Sequence, residues 1–516
     1  MSAPALDLPR LHATRRPTAI ALADADTGRA CTWRELDLRV GRAATVLADR
    51  FGVAPGDRVV LISENDPRVF ELQFACMRLG AVFAPLNWRL AVVELHDLVQ
   101  DAAPALIVHD GVWREVALEL AAKASTSTLS WADDDAGAGH DYEALCGVVD
   151  ETQPRPAPLD EHTHLLYTSG TTGRPKGALS SHGTLLWQAT NLSHTSALTP
   201  SAHLLDPLPL FHAGGLLTVA MPVLHYGGRV TIMRRIDPAA MLGSVLTSEP
   251  PVTHLSLIPM MYAAMAALPA FADADLSRLR CAVVAGAVAP PDLLQAWLDR
   301  GAAMQPQYGG TEMGPCALVL DVGEGEGAVA KALAGSSGRP AVHTDVRLVD
   351  LVTGADVAPG RTGEIVLRGP SITRGYWQRP AGESRDDDGW FHTGDVGWRD
   401  DDGFYYYAGR CTQMYKSGGE NVHPAEVEAA LQGCPDVAEI AVIGVPDDTW
   451  GEVGLAVVVP APGRAPTLEA LRAFGAGRVA RYKLPAAMVV VDELAHNVTG
   501  KVSRTRLTEL YSRRSS

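Results

Sequence analysis

One loop constrains this chain more than any other segment: residues 167–177, Tyr-Thr-Ser-Gly-Thr-Thr-Gly-Arg-Pro-Lys-Gly. An apolar run at 165–167 leads into it, so the loop lies at the carboxyl end of a strand, where open α/β sheets place their sites. Ser169, Thr171 and Thr172 offer hydroxyls after Thr168, glycines such as Gly170 let backbone N–H groups close on an anion, and Lys176 adds a compact cation. That set suits a polyphosphate. A P-loop requires Gly-Lys followed by Ser or Thr and an immediate helix, whereas here Pro175 precedes Lys176 and Gly177 follows it. The expected ligand is therefore a nucleoside triphosphate held by a different architecture.

The surrounding pattern supports the same fold class. Thr32 with Glu35 three residues on is a capping-box signature, and Leu36, Val40, Ala43 and Leu47 then share one helical face. Short apolar runs at 59–62, 81–86, 106–109 and 281–285 alternate with helical patterns, as stacked βαβ units do. From His343 the texture changes to short strands and hairpins, with Asp401-Asp402-Gly403 as a turn, which indicates a small β-rich subdomain. After Arg410 an α+β unit is expected, with a helix opening at Pro424, strands at 438–445 and 455–459, and a helix over 468–479. The fold class is thus α/β, with a large N-terminal domain over 1–410 and a small α+β domain over 411–516. The stretch 133–139 reads as a surface loop.

Composition bounds the partners. Over 516 residues, 60 acidic against 44 basic side chains give a net charge of −16, which disfavours nucleic acid and anionic membranes. No long apolar run or leader pattern is found, so a cytoplasmic location without an integral membrane segment is expected. Seven scattered cysteines show no metal-ligand spacing and are read as reduced thiols. Oligomeric state is not legible.

The loop at 167–177 resembles the signature of the adenylate-forming superfamily, and four further segments match it in order. These are Gln307-Tyr308-Gly309-Gly310-Thr311-Glu312, His392-Thr393-Gly394-Asp395 with Gly409-Arg410, Lys416-Ser417-Gly418-Gly419-Glu420-Asn421, and Asn497-Val498-Thr499-Gly500-Lys501. The resemblance covers nearly the whole chain and comes nearest to acyl-CoA synthetases. It implies ATP, Mg2+ and CoA as co-substrates and cofactor, and a C-terminal domain that swings about a hinge at Thr412. It implies that Gln307, Tyr308 and Gly309, with Gly286 and Ala287, face the adenine side. By the same resemblance Thr311 meets the α-phosphate, Glu312 holds magnesium, Asp395 accepts the ribose hydroxyls, and Arg410 supports ribose or phosphate. Lys501 serves adenylation, while Lys416, Ser417, Gly418, Gly419 and Trp450 lie along the thiol's path. Thr412 and Gln413 depart from the charged residues usual at that hinge.

For the acid, Pro209-Leu210-Phe211-His212-Ala213-Gly214-Gly215 resembles the segment bordering the acyl pocket, to which the resemblance also assigns Gly310, Met313 and Gly314. Amino-acid-activating relatives carry an aspartate where this chain has His212, so an amino acid is not expected. The apolar, glycine-rich setting points to an apolar carboxylic acid, with a medium- or long-chain fatty acid first and an aromatic or alicyclic acid as the alternative. His212 orients the carboxylate or gates the pocket. CoA is the expected acceptor, a carrier-protein pantetheine the alternative.

Overall fold

The structure, a computed structural model, describes residues 7–131, 141–168, 175–380, 383, 385–417, 420–447, 449–496 and 502–511. Ser169, Gly170, Thr171, Thr172, Gly418, Gly419 and Lys501 lie outside the described residues, as does the stretch 133–139.

By contacts along the chain the protein divides into two compact units, Met1–Asp345 with Leu367–Phe391, and Val346–Val366 with His392–Ser516. The first unit holds two large sheets. One has six strands in the order Ser127–Ser130, Leu106–His109, Arg58–Ile62, Val82–Pro85, His162–Thr168 and Lys176–Ser181. Its first five strands run parallel, and the last pairs antiparallel with its neighbour, placing Thr168 directly opposite Lys176. The other has nine strands, with six parallel in the order Met304–Tyr308, Cys281–Val284, His254–Leu257, His203–Asp206, Arg229–Ile232 and Ile20–Asp24.

Helix Trp33–Phe51 shows why sequence and structure agree here. Thr32 caps it, accepting from the Glu35 N–H while the Glu35 carboxylate accepts from the Thr32 N–H, and Gly52 ends it in the left-handed region at φ 67°. Its face of Leu36, Val40, Ala43 and Leu47 is buried against Phe70, Phe74 and the sheet strands. Each such leucine contributes about 2 kcal/mol through lost apolar exposure.

The second unit contains most of a four-stranded sheet, Asp345–Val349, Gly363–Arg368, Phe391–Arg399 and Tyr405–Arg410 in that order, and a five-stranded sheet around Gly451–Pro460 and Val437–Asp447. The expected turn at Asp401-Asp402-Gly403 is present, with the Gly403 N–H donating to the Asp400 carbonyl at 3.1 Å. The helix from Pro424 is found as Pro424–Leu431. The helix expected over 468–479 is shorter, Leu468–Gly475, because Ala476 turns to extended backbone at φ −62°, ψ 129° and Gly477 takes the left-handed φ of 79°. All seven cysteines are unbridged. Among the described residues no helix is long and apolar enough to cross a membrane.

Candidate active site

In the first unit, the hairpin that carries the phosphate-type loop brings Thr168 to Glu312. The Thr168 hydroxyl donates to Glu312 Oε1 at 2.8 Å, and the Tyr376 hydroxyl donates to the same oxygen at 3.2 Å. The Thr373 N–H donates to the Glu312 carbonyl at 2.8 Å. Glu312 is therefore held at backbone and side chain, with Oε1 occupied. Among the described residues no donor is assigned to Oε2, which leaves a hard, anionic oxygen fit for a divalent cation such as magnesium.

Lys176 lies next to this group. Its Nζ donates to Glu383 Oε1 at 3.0 Å and stands 5.1 Å from the centre of the Tyr376 ring. The ammonium beside Glu383 holds that carboxyl below its ordinary range. Tyr376 and Glu383 are absent from the sequence-based expectations. Glu383 opens a polar run that reads as an ordinary solvated turn and Tyr376 stands alone after Gly375, so neither is marked as a site residue, and both reach the site through the return of residues 367–391.

The segment 307–314 is built by close backbone approaches. A Cβ on Gly309 would lie 2.0 Å from the Pro315 carbonyl oxygen, and one on Gly314, at φ 71°, would lie 2.3 Å from that of Ser371. Only glycine fits at either position. Thr311 and Glu312 sit on the one-turn 3-10 helix Thr311–Met313, Met313 is buried, and Gly310 leaves room beside the Met313 side chain. Strand alternation turns Gln307 away from Tyr308 and into the sheet interior, where its Nε2 donates to Gln305 Oε1 at 2.9 Å. Gly286, at φ 84°, and Ala287 are exposed just beyond the carboxyl end of Cys281–Val284.

His212 is exposed, and the Gly214 N–H donates to its Nδ1 at 3.1 Å. An accepting Nδ1 leaves the proton of the neutral ring on Nε2. Gly215 packs where a Cβ would meet the Leu208 and Pro209 carbonyl oxygens at 2.8 and 2.7 Å. Phe211 meets Trp88 edge to face, with ring centres 6.3 Å apart.

In the second unit, strand pairing sets Asp395 opposite Arg410, and Arg410 Nε reaches Asp395 Oδ1 at 2.7 Å. Asp395 is buried while Arg410 is partly exposed. Ser417 pairs with Gly451, which sets Trp450, 58% exposed, beside the strand carrying Lys416. The Lys416 N–H donates to Glu452 Oε2 at 2.9 Å. The backbone at Thr412 forms the short 3-10 turn Cys411–Gln413. Arg504 bonds both Glu428 and, at 3.4 Å, Gln413 Oε1.

Comparison with known proteins follows the same lines. Residues 10–377 match the family model described as AMP-binding enzyme, and residues 426–501 match the AMP-binding enzyme C-terminal domain. A feruloyl-CoA synthase of Amycolatopsis sp is 42% identical over 92% of this chain and 93% of its own length. An indoleacetate–CoA ligase of Aromatoleum aromaticum is 38% identical over 98% of this chain and 97% of its own. The crystal structure of ATP-bound MatB from Rhodopseudomonas palustris superposes with a TM-score of 0.90 at 29% identity, covering 99% of both chains.

Proposed function

The chain belongs to the AMP-binding enzyme family and is an AMP-forming acid–CoA ligase using ATP, magnesium and CoA, and from that premise we propose that its acid carries an aromatic ring on a short side chain. The observation that carries this reading is the similarity, over more than nine-tenths of the chain, to two relatives named for feruloyl and indoleacetate chemistry. The local chemistry agrees: His212 stands where a cationic substrate would require a carboxylate, and the adjoining segment is apolar with paired glycines.

A carboxylate resists thiol attack because it would have to expel oxide, so it is first joined to AMP, with pyrophosphate leaving. Negative charge gathers around the α-phosphorus during that step, and donors already aimed at it lower the barrier. Thr311, Lys176 and Lys501 are assigned that task. Glu312 would hold magnesium through Oε2, which when bound neutralises phosphate charge. Asp395, with Arg410 beside it, is assigned the ribose hydroxyls, because an ionised carboxylate offers two strong acceptors. His212 donates from Nε2 to the acid's carboxylate. Lys416, Ser417 and Trp450 are assigned to the CoA arm during thioester formation, and Thr412 to the pivot between the 1–410 and 411–516 domains.

The test is ATP–pyrophosphate exchange and CoA-thioester formation across hydroxycinnamic, arylacetic, benzoic and medium- to long-chain fatty acids. Highest kcat/KM for an aryl-propenoic or arylacetic acid is expected. A preference for a fatty acid of eight or more carbons would overturn the aromatic reading and leave the ligase activity intact.

A further inference from the structure

The helix that follows the acyl-side segment does not begin as an α-helix. Residues Gly214–Thr218 form a π-helical turn, Val219 breaks the pattern, and only then does helix Ala220–His225 begin. Pro222 explains the break. It has no N–H to give the Thr218 carbonyl four residues earlier, and its ring crowds that carbonyl, so the turn opens and buried acceptors are left over.

Another helix satisfies them. Gln188, 2% exposed on helix His182–Ser193, donates its Nε2 to the Leu217 carbonyl at 2.6 Å and to the Thr218 carbonyl at 3.2 Å. Thr218 in turn donates its hydroxyl to the Ala213 carbonyl at 3.1 Å, and the Leu216 N–H reaches the His212 carbonyl at 3.0 Å. The Gly214 N–H completes the set on His212 Nδ1. The His212 N–H is held from the other side by the Pro209 carbonyl at 3.1 Å, while the bonds on His212 Nδ1, the His212 carbonyl and the Ala213 carbonyl lie on, or one step from, the turn that Gln188 supports.

We propose that Gln188 is a positioning residue for the acid: it replaces the hydrogen bond removed by Pro222, fixes the turn at Gly214–Thr218 in place, and so sets the direction of the His212 imidazole and the wall formed by Gly214 and Gly215. The inference rests on the assignment of residues 208–215 to the acyl side under the proposed function. It adds a determinant of acid selectivity that touches neither ATP nor the acid.

The experiment compares Gln188→Met, Thr218→Val and Pro222→Ala, alone and with Gln188→Met, in acyl-AMP formation across the acid panel. Gln188→Met and Thr218→Val should each lower kcat/KM for the preferred acid by about tenfold or more, since small misplacements of an orienting group carry costs of that order. They should also change the ratio of rates between large and small acids, while KM for ATP stays within about twofold of the parent. Pro222→Ala restores a donor for Thr218, so the Gln188→Met penalty should shrink in that background. Penalties that simply multiply, or losses that fall equally on the acid and ATP, would overturn the proposal. His212→Ala separates the two readings: if it leaves the acid KM unchanged, the placement of the acyl side fails; if it raises that KM while Gln188→Met and Thr218→Val do nothing, only the present inference fails.

Discussion

Glu312→Gln tests the site at its most exposed assumption. The wild-type carboxylate spends Oε1 on two hydroxyls, from Thr168 at 2.8 Å and from Tyr376 at 3.2 Å. A glutamine carbonyl accepts both bonds at similar length, so the side chain keeps its place and the fold loses little. What changes is the other arm: an anionic oxygen becomes an amide NH2, which is a donor with no affinity for a cation. Losing one preorganised electrostatic partner from a phosphoryl-transfer site costs about 3–4 kcal/mol, or roughly 10²–10³ in rate. We expect ATP–pyrophosphate exchange to fall by that factor, the magnesium needed for half-maximal rate to rise, and the thermal midpoint to stay close to the parent's. Thr168→Val is the companion, since it removes the hydroxyl that holds Oε1 and should cost about 1 kcal/mol, a five- to tenfold loss. If Glu312→Gln exchanged pyrophosphate within threefold of the parent at saturating magnesium, the assignment of Glu312 to the metal would be wrong.

Two further outcomes are open to measurement. Asp395→Asn removes the charge facing Arg410 and one strong acceptor, and should raise KM for ATP by about 10- to 100-fold, the worth of one or two charge-assisted hydrogen bonds; an unchanged KM would remove Asp395 from the ribose. Burial lowers the His254 pKa to about 4, with Nε2 donating to the Ser196 carbonyl at 2.8 Å. The native state thus resists the proton that the unfolded chain takes near pH 6.5, so this contribution is whole above that pH and is lost as pH falls towards about 4. His254→Gln, which can keep the donor, should therefore flatten the dependence of unfolding free energy on pH by about 1.4 kcal/mol per pH unit within that window. Equal slopes for parent and variant in urea titrations would refute the argument.

Local chemistry made much of the fold legible. The Thr32–Glu35 box, the apolar runs and the Asp401–Gly403 turn each specify their own geometry from neighbours in sequence. The motif segments stand out in the sequence for the same reason, because loops that approach a ligand by backbone need runs of glycine and hydroxyls. What escaped depends on distant chain. Tyr376 and Glu383 meet Glu312 and Lys176 only because the chain returns to the first unit at 367–391. Gln188 looks like an ordinary polar residue on a helix until Pro222, thirty-four positions away, leaves it carbonyls to satisfy. Gln307 lies within a motif segment, and period-two alternation along its strand turns its amide inward beside Gln305.

The close approaches at Gly309 and Gly314 also decide how this protein can be re-engineered. With carbonyl oxygens 2.0 and 2.3 Å from the added carbon, neither position has room for even a methyl group, so randomising them would fill a library with misfolded clones. Met313 lies between them as a flexible thioether on a scaffold that its neighbours hold still. Under the proposed acyl-side assignment, variation aimed at new acids is best concentrated there and at His212, with both glycines left untouched.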